Sequence, residues 1–127
     1  MLRAAVLSAL LAAAGAAHAC GVCVEDKMAA AYDHAVVTKA LAQKHHVAFF
    51  HIEGPLVAGK ATKSALEKVA ESPPVVKGSV RVSVESASLA VAFDPRRTTV
   101  AALQKYLERQ LATRKLSLML MRVLEPG

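Results

Sequence analysis

Val47-Ala48-Phe49-Phe50-His51-Ile52-Glu53-Gly54-Pro55 is the stretch that decides the fold. Phe50 and Ile52 alternate with His51 and Glu53 in a run rich in aromatic and β-branched residues, so the spacing predicts a strand with two unlike faces over 47–54. Pro55 stops it.

Beyond Pro55 the period changes. Gly59 opens a helix expected from about Lys60 to Glu71, where Ala61, Ala65, Leu66, Val69 and Ala70 recur at helical spacing and give one apolar face. Ser72-Pro73-Pro74 ends it. Val80, Val82 and Val84 then fall on one face of a strand, a turn is expected around Ser86-Ala87-Ser88, and Leu89, Val91 and Phe93 mark the returning strand. Thr98 or Thr99 caps a helix whose Val100, Leu103, Leu107 and Leu111 form an i, i+3, i+7, i+11 stripe. Residues 115–124 make a last strand. The order strand, helix, strand, strand, helix, strand predicts an α+β, ferredoxin-like βαββαβ domain over 47–127: a four-stranded antiparallel sheet with both helices on one face.

Such a sheet has a second face to account for. If Leu118 and Leu120 face the two helices, Met119 and Met121 face the other way, together with Phe49 and His51. Either an extra N-terminal helix or a second copy of the chain, a homodimer, would cover Phe49, Ala90, Ala92, Met119 and Met121. The helix is the expected cover. Methionines and a histidine on one surface are also soft-metal donors.

That helix is expected from Val24 to about His46. Glu25 and Asp26 suit its N-terminus, and six alanines within it have high helix propensity. Its wheel is untidy, because Asp33 and Lys44 fall in the arc that Val36, Val37 and Leu41 would bury. His45 and His46 read as complements to the helix dipole. His34 reads as a packed or surface side chain, and Met28 as core.

Ahead of the helix stand the only two cysteines, in Cys20-Gly21-Val22-Cys23. Residues 1–19 read as a secretion signal: Arg3 is its positive end, residues 4–14 an apolar run broken by Ser8, and Ala17-His18-Ala19 a small-x-small cleavage pattern. Cleavage would leave 108 of 127 residues, with Cys20 first. An acylated Cys20 is the competing reading, although Ala17 replaces the branched aliphatic residue such signals carry at that place. The expected location is secreted and periplasmic, with no transmembrane segment after signal removal.

Two thiols with this gap can hold one soft ion or close into a disulfide. Placed at a helix N-terminus, they are favoured as thiolates. Cu(I) suits two thiolates, and Zn(II), which usually takes four ligands, is the second candidate. The expected metal ligands are Cys20 and Cys23. Net charge is +6, but without a block of like charges and with 4% aromatic residues it points to no nucleic acid partner.

Residues 47–124 resemble a heavy-metal-associated domain, of the kind found in copper chaperones and metal-pumping ATPases. The resemblance rests on His51-Ile52-Glu53-Gly54, Ala58-Gly59, Val76-Lys77-Gly78-Ser79-Val80 and Phe93-Asp94-Pro95. It implies a ferredoxin-like fold and a metal site on a Met-x-Cys-x-x-Cys loop. Here that loop has Pro55, Val57 and Lys60 at the three ligand positions, so the usual site is absent.

These readings combine into an exported soft-metal-binding protein. It would bind or transfer Cu(I) through Cys20 and Cys23, with a metal-handling or thiol-bearing protein as partner. The alternative is a non-metal interaction module whose cysteine pair forms a disulfide or exchanges with partner thiols. No nucleophile-base set or phosphate loop is visible, so catalysis is not expected.

Overall fold

A computed structural model describes residues 19–127, with side chains from Val24 onward. Residues 1–18 of the expected secretion signal, and the thiols of Cys20 and Cys23, lie outside what is described.

The chain from His46 is ferredoxin-like. Strands β1 (His46–Glu53), β2 (Arg81–Ser83), β3 (Ser88–Phe93) and β4 (Ser117–Leu124) form one antiparallel sheet in the order β2-β3-β1-β4. The helices are α1 (Ala19–Ala31), α2 (His34–Ala42), α3 (Lys60–Ala70) and α4 (Val100–Leu111). Thr99 caps α4 by accepting from the Ala102 N–H at 3.1 Å, so of the two candidate caps it is the later one. Ser88 begins β3 rather than belonging to the turn.

Alternation along β1 divides the interior in two. Ala48, Phe50 and Ile52 enter a core with Leu66 and Ala70 of α3 and Leu103, Leu107 and Leu111 of α4. Val47 and Phe49 enter a second core with Ala90, Ala92, Met28, Ala31, Val37 and Ala40. Phe49 and Phe50 are neighbours in sequence, fully buried on opposite sides of one sheet. Burying each contributes about 1.5–3 kcal/mol.

The N-terminal region corrects the single helix expected over 24–46. It is two helices, α1 and α2, and the first already includes residues 19–23, ahead of the expected start at Val24. Asp33 ends the earlier run and caps the next, its Oδ1 accepting from Ala35 N at 3.0 Å and Val36 N at 3.2 Å. The untidy wheel was a sum over two axes: Asp33 is a cap, and Lys44 lies past α2 with φ of 63°.

Both helices pack on the face opposite α3 and α4, as the expected cover. The cover is incomplete. Phe49, Ala90 and Ala92 are at most 3% exposed and Met121 is partly buried, but Met119 remains 49% exposed. Between its pairings to Phe49 and Phe50, β4 carries one extra residue: Arg122 opposes Phe49, Leu120 opposes Phe50, and Met121 is the bulge. The bulge reverses parity, so Leu118 and Val123 both meet the α3–α4 core, which simple alternation forbids.

Gly54 must be glycine. It has φ of 123°, and a Cβ there would sit 2.5 Å from the Lys115 carbonyl oxygen. No helix among the described residues is long and apolar enough to cross a membrane.

Candidate metal centre

Two long-range ion pairs fix how α1 lies. Arg122 Nη2 of β4 donates to Glu25 Oε1 at 3.1 Å, and Arg81 Nε of β2 donates to Asp33 Oδ2 at 2.9 Å. Arg81, Ala90, Phe49 and Arg122 form one row across all four strands, since each opposes the next in register. So α1 crosses the strands along that row, with its first residues toward edge strand β4 and its end over β2. The apolar seat of Met28 carries most of the energy, about 1.5–3 kcal/mol if fully buried, and the exposed Glu25–Arg122 pair at most about 1 kcal/mol. The pairs set direction more than strength.

Beside that row, toward the end of the sheet where β1 finishes, lies a second one: Ser83, Ser88, His51 and Met119. All four residues share the α1 face, because they alternate with the residues of the α3–α4 core. The side chains of His51 and Met119, directly opposite on neighbouring strands, have Cβ atoms about 4.5–5.5 Å apart. Lys27 of α1 reaches this corner, donating to the Ser86 carbonyl at 2.7 Å.

His51 is held in one tautomer. Its Nδ1 lies 3.1 Å from the Ala87 carbonyl oxygen, and a carbonyl can only accept, so Nδ1 carries the proton. In the neutral ring Nε2 then has a free lone pair. Ala87 has a left-handed φ of 51°, and its carbonyl also accepts from Ile52 N at 2.8 Å. Ser88, next to His51 in the row, is fully buried, and its Oγ has no hydrogen-bond partner among the described residues.

Other candidates go elsewhere. Met28 is 8% exposed in the second core, as a core residue. His34 is exposed at the opposite end of α1, its ring nitrogens 3.3 Å from Tyr32 Oη and 3.4 Å from Thr38 Oγ1. His46 packs edge-on against Phe93, with ring centroids 5.5 Å apart. His45 lines a separate groove of about 460 Å³ with Pro73, Val75, Asp94 and Arg97. The loop from Gly54 to Gly59 holds no soft donor, and Val57 in it is 72% exposed.

Of the expected ligands, Cys20 and Cys23 lie within α1, not ahead of it. Among the described residues no three His, Cys, Asp or Glu side chains gather. Asp33 is held below the ordinary carboxylate range, first by its hydrogen bond from Arg81 and next by that from Val36 N. Asp94 is likewise lowered, chiefly by Arg96.

Sequence reasoning missed Ser88, Lys27 and the Asp33–Arg81 pair. Only Ser88 left a local signal, as a polar residue in register with the apolar alternation of Ala90 and Ala92.

No protein-family model and no curated protein matches the chain. The chain is similar to a copper-binding domain from HMA7, a P-type ATPase, at 14% identity over 61% of this chain and 96% of that one, with a TM-score of 0.49. It is similar also to oxidised MerP from Ralstonia metallidurans CH34, at 21% identity over 60% of this chain and 96% of that one, with a TM-score of 0.46.

Proposed function

We propose that this is an exported, periplasmic soft-metal carrier that binds Cu(I) through Cys20 and Cys23 and passes it to a thiol-bearing or metal-handling partner. The observation that carries the reading is the placement of Cys20-Gly21-Val22-Cys23 within α1, a helix seated on the sheet by Met28 and Glu25, so that cleavage before Cys20 would leave the pair at its N-terminus. Helix N-termini favour anions, so thiolates there are supported by the helix dipole and by Lys27, four residues after Cys23. Thiolates select Cu(I) over harder ions, and two of them satisfy a linear Cu(I). Zn(II) would need further ligands. The ferredoxin-like sheet serves as scaffold and docking body, and the reading assigns the chain no catalytic step.

The test is anaerobic Cu(I) titration of the exported chain against a chromophoric competitor, with Cys20→Ser and Cys23→Ser alongside. Stoichiometric binding lost in either variant is the expected result. Binding that survives in both removes the cysteines from the site. A protein isolated two hydrogens lighter, without metal, supports the alternative module with a disulfide.

A further inference from the structure

We propose that His51 Nε2 and the thioethers of Met119 and Met121 form a soft-metal site on the sheet itself, one that takes a monovalent ion of the Cu(I) class. The site uses no cysteine and stands whether or not Cys20 and Cys23 bind metal.

Strand pairing brings the donors together. His51 of β1 and Met119 of β4 oppose each other in register on the α1 face, with Cβ atoms about 4.5–5.5 Å apart. Met121 follows Met119 by two residues, about 7 Å along the strand, and its side chain meets the second core on that same face. As the bulged residue it has no partner directly opposite, because Arg122 takes the place across from Phe49. A methionine side chain has three rotatable bonds, so two thioethers and one imidazole at these spacings can close on a single ion.

Each donor is also available. Nδ1–H of His51 is spent on the Ala87 carbonyl at 3.1 Å, the arrangement that orients a ligating imidazole and raises the basicity of its other nitrogen. Met119 is 49% exposed, on a face where Phe49, Ala90 and Ala92 are at most 3% exposed. Two cations of this face are engaged elsewhere: Lys27 donates to the Ser86 carbonyl at 2.7 Å and Arg122 to Glu25 at 3.1 Å.

The donor types select the ion. Thioethers are soft and the imidazole is compatible with copper, so the set suits Cu(I). Zn(II) usually takes four nitrogen, thiolate or carboxylate ligands, and among the described residues no three His, Cys, Asp or Glu side chains gather. Three neutral donors lack the charge of two thiolates and hold the ion more weakly. A competitor strong enough to score the cysteines therefore strips this site, which must be read without one.

The experiment uses the exported chain with Cys20→Ser and Cys23→Ser combined, titrated with Ag(I) in chloride-free buffer. Ag(I) shares the charge and softness of Cu(I) and is stable in air. Two-bond ¹H–¹⁵N correlation reads the histidine rings, and ¹H–¹³C correlation reads the methionine methyls. At one equivalent His51 Nε2 and the methyls of Met119 and Met121 should shift together, while the Met28 methyl and the rings of His34, His45 and His46 stay. Anaerobic Cu(I) should give the same pattern. Added singly to that background, His51→Gln, Met119→Leu and Met121→Leu should each weaken Ag(I) binding by at least about tenfold, the least that losing even a partner behind a ligand costs. Met119→Leu should leave the metal-free unfolding midpoint unchanged, which separates ligation from folding. No shift at all, shifts centred on another histidine, or movement of His51 with both methyls still overturns the inference. None of these results touches the cysteine reading, which the competitor titration of the parent chain decides separately.

Discussion

Arg81 Nε and Asp33 Oδ2 lie 2.9 Å apart across 48 residues, and the same carboxylate caps α2. One side chain thus ends α1, starts α2 and ties their junction to edge strand β2. The three jobs are separable by substitution.

Asp33→Asn keeps a capping oxygen and loses the charge, whereas Asp33→Ala loses both. Thermal unfolding should show the alanine variant the less stable by about a few degrees, with asparagine between it and the parent. The folded carboxyl titrates below its ordinary value of 3.8, so its contribution is fully present above that pH and is lost as pH falls through the lower folded value. An acid titration of the unfolding midpoint should therefore fall less steeply below pH 4 in Asp33→Asn than in the parent. Parallel curves would mean that the pair does not persist in solution.

Truncating the seat of α1 should free it without dissolving the sheet. Met28→Ala should cost about 2–5 kcal/mol of the packing of α1, while Phe49→Ala, which empties the centre of the same core, should cost about 3–5 kcal/mol of the whole fold. Hydrogen exchange distinguishes them. In Met28→Ala protection should drop over residues 24–31 and persist in β1 and β3; in Phe49→Ala it should drop throughout.

Neighbouring residues on β4 should respond oppositely to charge. Leu118 is 5% exposed in the main core, and its backbone is held by α4, the N–H donating to Glu108 Oε2 and the carbonyl accepting from Gln104 Nε2, each at 2.9 Å. These bonds also occupy the outward groups of the edge at that point, which discourages strand addition there. Met119→Lys should change stability by no more than about 0.5 kcal/mol. Leu118→Lys should be strongly destabilising, because burying an uncompensated ammonium has no offset. Urea unfolding of the two variants is the check, and a large loss in Met119→Lys would mean that something covers that residue.

Alternation and helical spacing were enough, within the sequence, for the element order from β1 to β4 and for the two-faced sheet. Each of those elements has a continuous apolar face that declares its own period. Phe50 with Ile52, the valines at 80, 82 and 84, and the Leu103-Leu107-Leu111 stripe are signals of this kind. The gap between Cys20 and Cys23, the missing thiols at Val57 and Lys60, and the sharing of a face by His51 and Met119 were equally legible. Where β4 shifts register at Met121 was not, because a bulge comes from fitting two strands together and neither strand's own pattern records it. Nor was the break at Tyr32–Asp33: one polar residue in an alanine-rich run does not by its own pattern separate a helix surface from a helix cap, and its second carboxylate oxygen is engaged by Arg81, distant in the chain. Tertiary structure alone decided that α1 crosses the strands, with its cysteine-bearing end toward β4 and the flank of Lys27 beside His51 and Ser88. That direction depends on pairings between residues 48 to 97 positions apart, which no local pattern can encode.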